Sequence, residues 1–311
     1  MKINQKRSKK KMKKNEKDSI SMSETSRIFP RTLPDGFSIE LNTLQNALAV
    51  LVRHRPDEYP LYPSMGEWGL TIPEMIATSK GFCLGGKGIE ARKWMSVPEK
   101  PNTIQYKYRQ EPPVELSGFG GSEARIDKDA HLEYTATLTV DENTVDVEVA
   151  ITNLSDEPMS AFTHLCNRFT GRGYSWGWRD RTYIQIDGKW IVVPPGITPS
   201  TGKWFLENNL PDSWLMEFFR KGSSVDPNAR VTSPLVCMVS EDRRYTMVCG
   251  SPQGSMVFIN PDNPCLHSEP YTPVIEPRET AIQKWSMRVY KLPLEEAVVR
   301  FESEVCKKQK K

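Results

Sequence analysis

The sequence lacks the features by which membrane-spanning and secreted proteins are usually recognised. None of its apolar runs approaches the roughly 18 consecutive residues that a membrane-spanning helix needs. The segment from Met1 to Arg7 is charged and no apolar segment follows it, which is unlike a secretory signal. We therefore expect a cytoplasmic protein with no membrane span.

Cysteine and histidine are both scarce, with six and four residues in a chain of 311. No two cysteines form a C-x-x-C pair, and several of them lie within apolar segments. We interpret them as reduced core residues rather than a disulfide framework or a zinc knuckle. The glycines between Leu84 and Gly88 are not followed by the Lys-Ser/Thr of a phosphate-binding loop, which excludes that motif.

The formal net charge of +3 conceals an acidic central region between two basic tails. Residues 1–17 contain nine Lys/Arg and one Glu, and residues 307–311 contain four Lys. Without these tails 29 basic and 38 acidic residues remain, a net charge of −9, which argues against a nucleic-acid groove on the folded part. We expect residues 1–27 to form a disordered basic tail, residues 28–306 a single domain and residues 307–311 a second basic tail. An anionic polymer or a membrane surface is an alternative partner for the first tail.

What the sequence has in abundance is the alternation of apolar and polar residues that is typical of β-strands. Residues 132–140 and 145–151 alternate at period two around a turn at 141–144, which predicts an antiparallel hairpin. Further apolar segments predict strands at 50–54, 183–186, 189–193, 235–239, 245–249, 256–259 and 281–290. Helical spacing predicts short helices over 212–221 and 293–305. Many strands, short turns and no βαβ alternation predict an all-β fold, an antiparallel β-sandwich with minor helices.

The segment from Val145 to Phe169 contains the histidine of greatest interest. Its first strand ends at Ile151, and Thr152 to Pro158 (Thr-Asn-Leu-Ser-Asp-Glu-Pro) supplies turn residues. A second strand, from Ser160 to Phe169, contains His164.

This order of strand, Asn-Leu-Ser turn and strand with Thr-His resembles the aldose 1-epimerase (galactose mutarotase) superfamily. A second patch, Asn263 to Pro270, is similar to the family's strand with the catalytic glutamate. The resemblance implies a galactose-mutarotase-like (supersandwich) fold and a catalytic role for His164. Aligned on Cys265 and Leu266, the family's glutamate position falls on His267. Glu269 lies two residues further and therefore on the same face of a continuing strand.

The chain also departs from the family pattern. The family has an aromatic pair and Asn after its histidine, where this chain has Leu165, Cys166, Asn167 and Arg168. The family's second histidine has no counterpart among His54, His131, His164 and His267. The resemblance therefore supports the prediction of the fold more strongly than that of the activity.

Interconversion of sugar anomers requires one group that takes the proton of the C1 hydroxyl and another that gives a proton to the ring oxygen. Glu269 as base and His164 as acid fill these roles, and His267 could replace either. The alternatives are a structural His164, a half-buried His267 bonded to backbone, and a Glu269 that is a solvated loop residue. The same three side chains could also form a three-ligand metal site, although we expect neither a metal nor another cofactor.

Three glycines, three large aromatic residues and three arginines lie between Gly171 and Arg181. Aromatic rings can cover the apolar face of a pyranose, and arginines favour an acidic sugar through paired hydrogen bonds. The predicted sugar contacts are Asn167, Arg168, Tyr174, Trp176, Trp178, Arg179, Asp180 and Arg181. The alternative is an edge loop whose rings pack on the sheet.

The sequence thus predicts a carbohydrate-binding, aldose-1-epimerase-like protein. Its partner would be a small sugar or a glycan end, and its chemistry acid/base transfer in a concave β-sheet cleft. The alternatives are a non-catalytic carbohydrate-binding module and an accessory domain of a polysaccharide-degrading system. The identity of the sugar and the oligomeric state do not follow from the sequence.

Overall fold

The structure is a computed structural model that describes residues 31–32, 37–42, 49–54, 71–79, 81–82, 95–110, 131–141, 144–168, 181–193, 202–213, 215–216, 230–239, 243–260 and 265–306. Within these ranges the strands are β1 Arg31–Thr32, β2 Phe37–Asn42, β3 Ala49–His54, β4 Thr71–Thr78, β5 Gly81–Phe82, β6 Met95–Val97, β7 Lys100–Gln110, β8 Leu132–Asp141, β9 Thr144–Asn153, β10 Met159–Arg168, β11 Thr182–Ile186, β12 Lys189–Val192, β13 Gly202–Leu206, β14 Arg230–Val231, β15 Leu235–Val239, β16 Thr246–Gly250, β17 Gly254–Asn260, β18 Cys265–Ile275 and β19 Thr280–Tyr290. One helix, α1, spans Leu294–Phe301 and continues into a π-helical turn at Glu302–Cys306.

Sixteen of these strands form one long sheet. Its order is β5-β4-β10-β18-β17-β13-β14-β11-β15-β16-β19-β9-β8-β7-β6, and β12 pairs with β11 beside this path. Strands β1, β2 and β3 form a separate three-stranded sheet. Every pairing among the described strands is antiparallel except the short β13–β14 pair, which is parallel. The all-β, antiparallel architecture predicted from the sequence is confirmed.

The long sheet folds back on itself, because its two ends contribute to a single apolar core. Ile76 of β4 and Leu165 of β10 belong to the same buried cluster as Tyr106 of β7 and Val149 of β9. Strand β18 packs against β19 and β16, although neither is its neighbour in the sheet. This is the two-layered packing of a β-sandwich, and full burial of each such side chain stabilises it by roughly 1.5–3 kcal/mol.

The hairpins arise from local sequence patterns. In β9 the residues alternate strictly between half-buried and buried, as the apolar–polar alternation predicts. Strand β8 pairs with β9 over its full length, from Leu132 opposite Asn153 to Asp141 opposite Thr144. The β11–β12 hairpin turns at Asp187 and Gly188, whose φ angles of 49° and 72° are those of a tight hairpin turn.

The Asn-Leu-Ser turn between β9 and β10 has a structural explanation. The side chain of Asn153 is fully buried and donates from Nδ2 to the carbonyls of Glu157 at 2.8 Å and Ile275 at 2.9 Å. Its Oδ1 accepts from the N–H of Ser155 at 2.9 Å. Because Ile275 ends β18, this asparagine ties the turn before β10 to the end of β18.

The closing helix packs its apolar face on the sheet, as its spacing predicts. Ala297, Val298 and Phe301 are buried in one cluster with Leu235 and Cys237 of β15. No helix among the described residues is long and apolar enough to cross a membrane.

Three of the six cysteines are described as free thiols. Cys237 and Cys249 are buried, as their interpretation as core residues predicts, whereas Cys306 is half-buried. Cys237 and Cys249 lie on neighbouring strands, and neither forms a disulfide. Burial raises the pKa of both thiols, that of Cys249 to about 12, so both stay protonated at neutral pH.

Several expectations lie outside the described residues. These are the two basic tails and most of the segment between Gly171 and Arg181. The helix predicted over 212–221 is described only at its start, where the N–H of Met216 donates to the carbonyl of Asp212 at 3.0 Å. The single domain over residues 28–306 stays a prediction.

Candidate active site

The candidate site lies on β18 and β10, two neighbouring strands of the long sheet. Successive side chains of a strand point to opposite faces, so His267 and Glu269 share one face of β18. Leu266, between Cys265 and His267, points to the other face and belongs to the apolar core. The same alternation on β10 puts Leu165 in the core and His164 on the face that carries His267 and Glu269.

The backbone pairing of β10 with β18 is interrupted at this point. Among the described residues it stops at Phe162 opposite Tyr271 and resumes at Asn167 opposite Leu266. Pro270 has no N–H and cannot donate to the ladder, which accounts for part of the gap. The register is the same on both sides of the gap, so the side chains of His164 and Glu269 start directly opposite each other.

A single carboxylate oxygen holds the two histidines. Oε1 of Glu269 lies 2.6 Å from Nδ1 of His164 and 2.8 Å from Nδ1 of His267. The two imidazole rings are stacked, with centroids 4.4 Å apart and planes inclined by 15°. The second oxygen, Oε2, accepts the N–H of Leu165 at 3.0 Å, within the gap in the backbone ladder. The carboxylate thus replaces part of the strand pairing that the backbone leaves out.

The cluster is almost completely enclosed. His267 and Glu269 have no exposed side-chain surface and His164 has 6%, so a ligand would reach His164 first. Phe258, opposite His267 on β17, sets its ring edge-on against that histidine with centroids 4.4 Å apart. An aromatic wall of this kind excludes water and strengthens electrostatic interactions inside the cluster.

The charge state of Glu269 follows from two opposing effects. Burial alone raises the pKa of the carboxyl group, whereas the charge and hydrogen bonds of His164, together with those of His267, lower it. The lowering prevails, so the pKa of Glu269 lies below its ordinary value and the group is ionised at neutral pH. An ionised carboxylate in contact with Nδ1 orients each imidazole ring and favours the tautomer with its proton on Nδ1.

The same donors could in principle hold a metal ion. The ligating atoms of His164, His267 and Glu269 all lie within 4.8 Å of one another, and two imidazoles with a carboxylate suit a zinc-type ion. An ion must lie close to the plane of each imidazole that binds it, which two stacked and nearly parallel rings do not allow. One ring would have to rotate out of the stack before both imidazoles could bind one ion.

A second polar cluster on the same sheet face was not found from the sequence. Tyr271, two residues beyond Glu269 on β18, donates its hydroxyl to Oδ1 of Asp212 at 3.0 Å, and Ser160 of β10 donates to Oδ2. Burial and the contact with Asp212 raise the pKa of Tyr271 to about 12. The period-two spacing of His267, Glu269 and Tyr271 is a signal that could have revealed Tyr271.

The structure brings together the three predicted catalytic residues and describes few of the predicted sugar contacts. Arg181 precedes β11 and donates from Nη1 to the carbonyl of Val239 at 3.2 Å, four strands from β18 in the sheet order. The backbone of Asn167 and Arg168 belongs to β10, while their side chains lie outside the description. The other five predicted contacts lie outside the described residues: Tyr174, Trp176, Trp178, Arg179 and Asp180.

Two of the structural alternatives considered for these residues are wrong. Glu269 is not a solvated loop residue, because it lies within β18 and is fully buried between the histidines. His267 is not half-buried, because it has no exposed surface and contacts the Glu269 carboxylate. Glu269 is the centre of the cluster rather than a residue at the edge of a cleft.

Comparison with known proteins gives likenesses of structure and none of sequence. No family model matches the chain, and no curated protein sequence matches it. Solved structures similar to it include a galactose mutarotase related enzyme from Lactobacillus acidophilus, at 10% identity and a TM-score of 0.48 over 85% of this chain and 98% of that one. A GalM/aldose epimerase homologue from C. elegans is 11% identical with a TM-score of 0.47, over 86% of this chain and 99% of that one.

A third likeness is to a part of a larger enzyme. The GH36 α-galactosidase AgaA from Geobacillus stearothermophilus, solved in complex with raffinose, is 10% identical with a TM-score of 0.41. The match covers 86% of this chain and 41% of that enzyme.

Proposed function

We propose that this protein binds a sugar or a glycan end and interconverts its anomers by proton exchange at His164 and His267. Glu269 holds both imidazoles and balances their charge. The observation that carries the proposal is the shared contact of two Nδ1 atoms with one buried, ionised carboxylate oxygen, at 2.6 and 2.8 Å. The strand–turn–strand motif that resembles aldose 1-epimerases supports the choice of a sugar as the ligand.

The arrangement suits a reaction that takes one proton and gives another. A neutral imidazole accepts the proton of the C1 hydroxyl, and an imidazolium gives its proton to the ring oxygen as the bond from C1 to that oxygen breaks. The product is the open-chain aldehyde, which rotates about its C1–C2 bond and closes by the reverse steps to the other anomer. The proton has then passed from one histidine to the other, and the net charge of the pair with Glu269 is unchanged. Because His267 is enclosed, its contact with the sugar requires the Phe258 ring beside it to move aside.

This assignment differs from the roles predicted from the sequence, in which Glu269 is the base and His164 the acid. Both oxygens of Glu269 are engaged, Oε1 by the two imidazoles and Oε2 by the N–H of Leu165. A carboxylate with a lowered pKa is also a weak base. The geometry therefore supports proton transfer by the imidazoles and a supporting role for Glu269.

The same enclosure of Glu269 favours a second candidate function, sugar binding without catalysis. In that case the cluster only shapes the sheet, and the ligand contacts other residues. The two functions differ in whether replacing a histidine affects the exchange rate or only the affinity.

The test is anomer exchange measured by NMR exchange spectroscopy on a panel of neutral and acidic hexoses. In the proposed mechanism His164→Gln lowers the exchange rate by about 10²-fold or more, whereas sugar affinity stays within about tenfold. The matched control is His131→Gln, because His131 is an exposed histidine at the start of β8. Wild-type protein that binds a sugar without exchanging its anomers would establish the binding-module function, and absence of any sugar binding would refute both.

A further inference from the structure

The gap in the β10–β18 ladder raises the question of what holds the two strands at the correct spacing. Backbone pairing stops after Phe162 opposite Tyr271, and inside the gap the N–H of Leu165 donates to the Glu269 side chain instead. On their outer edges β10 pairs with β4 through His164, and β18 pairs with β17 through Glu269. A side chain from the other layer of the sandwich adds a support that joins the two strands to each other.

Gln283 of β19 supplies such a support from the core side. It is 1% exposed, and its Nε2 donates to the carbonyl of Ala161 at 2.8 Å and to Oγ1 of Thr272 at 3.1 Å. Its Oε1 accepts the hydroxyl of Thr163. One planar amide therefore binds both strands at once, β10 through Ala161 and Thr163 and β18 through Thr272.

The amide reaches across the two layers of the sandwich. Strand β19 is not a sheet neighbour of β10 or β18 but packs on β18 through the core. It is anchored by pairing with β9 from Thr280 to Arg288 and with β16 from Ser286 to Tyr290. Gln283 thus links the two strands of the site to β19, a strand of the opposite layer that is paired on both of its edges.

The contacts of Gln283 flank the catalytic candidates. Thr163 directly precedes His164, and Thr272 lies three residues beyond Glu269. A buried amide that loses one of these partners has no water to replace it, so the distances are narrowly set. We infer that Gln283 is a positioning residue that sets the spacing between the His164 imidazole and the Glu269 carboxylate. That this spacing serves catalysis rests on the proposed function. That Gln283 sets the spacing does not.

The test replaces Gln283 by Met, which has a similar length and no hydrogen-bonding groups. We expect the imidazole 15N resonances of His164 and His267 to shift, because their contacts with Glu269 change. We also expect kcat for anomer exchange to fall about tenfold or more with KM changed less, as is typical when a supporting hydrogen bond is removed. Gln283→Glu, which keeps the acceptor for Thr163, should restore part of both properties.

The matched control is Gln253→Met. Gln253 also binds β19, since its Nε2 donates to the carbonyl of Ile282 and its Oε1 accepts the N–H of Lys284, both at 3.0 Å. It does so from a half-exposed position, and none of the hydrogen bonds described for its side chain involves β10. In Gln253→Met we expect the imidazole resonances of His164 and His267, and the rate of anomer exchange, to match those of the wild type.

If Gln283→Met does not fold, Thr163→Val removes one of the three contacts while it keeps the shape of the side chain. Unchanged imidazole resonances in a folded variant of either kind would overturn the inference. If the wild type shows no anomer exchange, the proposed function fails, while the imidazole resonances still decide whether Gln283 positions the pair.

Discussion

Replacing Glu269 by Gln keeps the shape of the side chain and removes its charge. A glutamine oxygen can still accept the N–H of Leu165, but the two imidazole contacts at 2.6 and 2.8 Å lose their ionised partner. Breaking a buried ion pair by removing one partner typically costs about 3–5 kcal/mol. We expect Glu269→Gln to lower the free energy of unfolding by about 3 kcal/mol at pH 7, and Tm by roughly 6–10 °C.

The pH dependence of this difference has a defined sign. The pKa of Glu269 is lowered in the folded protein from an ordinary value of 4.5. Its contribution to stability is therefore fully present above that value and is lost as the pH falls through the folded pKa. The difference in free energy of unfolding between wild type and Glu269→Gln should be large at pH 7 and should decrease as the pH falls below 4.5.

The assay is urea unfolding followed by tryptophan fluorescence at a series of pH values. Glu148→Gln is the control, because Glu148 is 46% exposed and its contact with Lys284 is 3.9 Å long. Its free energy of unfolding should stay within about 0.5 kcal/mol of the wild type. The reasoning would be refuted by a Glu269→Gln protein as stable as the wild type at pH 7. It would also be refuted by a difference in free energy of unfolding that increases on acidification.

Three further predictions concern hydrogen bonds and packing elsewhere in the sheet. Asn153→Ala should lower the free energy of unfolding by about 2–3 kcal/mol in urea, because it leaves buried carbonyls without donors. Gly250→Ala should destabilise by about 1–3 kcal/mol in the same assay, because the new Cβ would lie 2.4 Å from Cδ2 of Leu235. Asp212→Asn should lower the pKa of Tyr271 from about 12, since the Asp212 charge contributes to its elevation. A spectrophotometric phenol titration, with Tyr271→Phe to identify the signal, would show no change if this account is wrong.

The local parts of the fold could be predicted from the sequence because their signals are local. Period-two alternation predicted the β8–β9 hairpin, and apolar spacing predicted helix α1. The order of strands in the long sheet could not be predicted in this way. Strand β10 lies between β4 and β18, far from both in sequence, and no local pattern encodes such a pairing.

Local sequence signals also identified some of the residues of the candidate site. His267 and Glu269 are two residues apart on one strand, and the family resemblance added His164. The central position of Glu269 depends on β10, so sequence spacing could not predict it. Gln283 was missed because one glutamine among several polar residues of β19 carries no signal until its partners on the opposite layer are known.

The interrupted ladder also has a consequence for folding kinetics. Leu165 and Glu269, whose hydrogen bond bridges the gap, are 104 residues apart in the chain. Contacts of such separation form late, because the entropy of closing the loop is lost before the contact stabilises anything. The β8–β9 hairpin can form within roughly 1–10 μs, whereas β10 must wait for β18 with an unpaired edge and a gap that cannot pair on its own. A partly folded chain would therefore present β10 as an open strand edge, the kind of surface through which β proteins aggregate, and rapid docking of Gln283 and Glu269 would shorten that exposure.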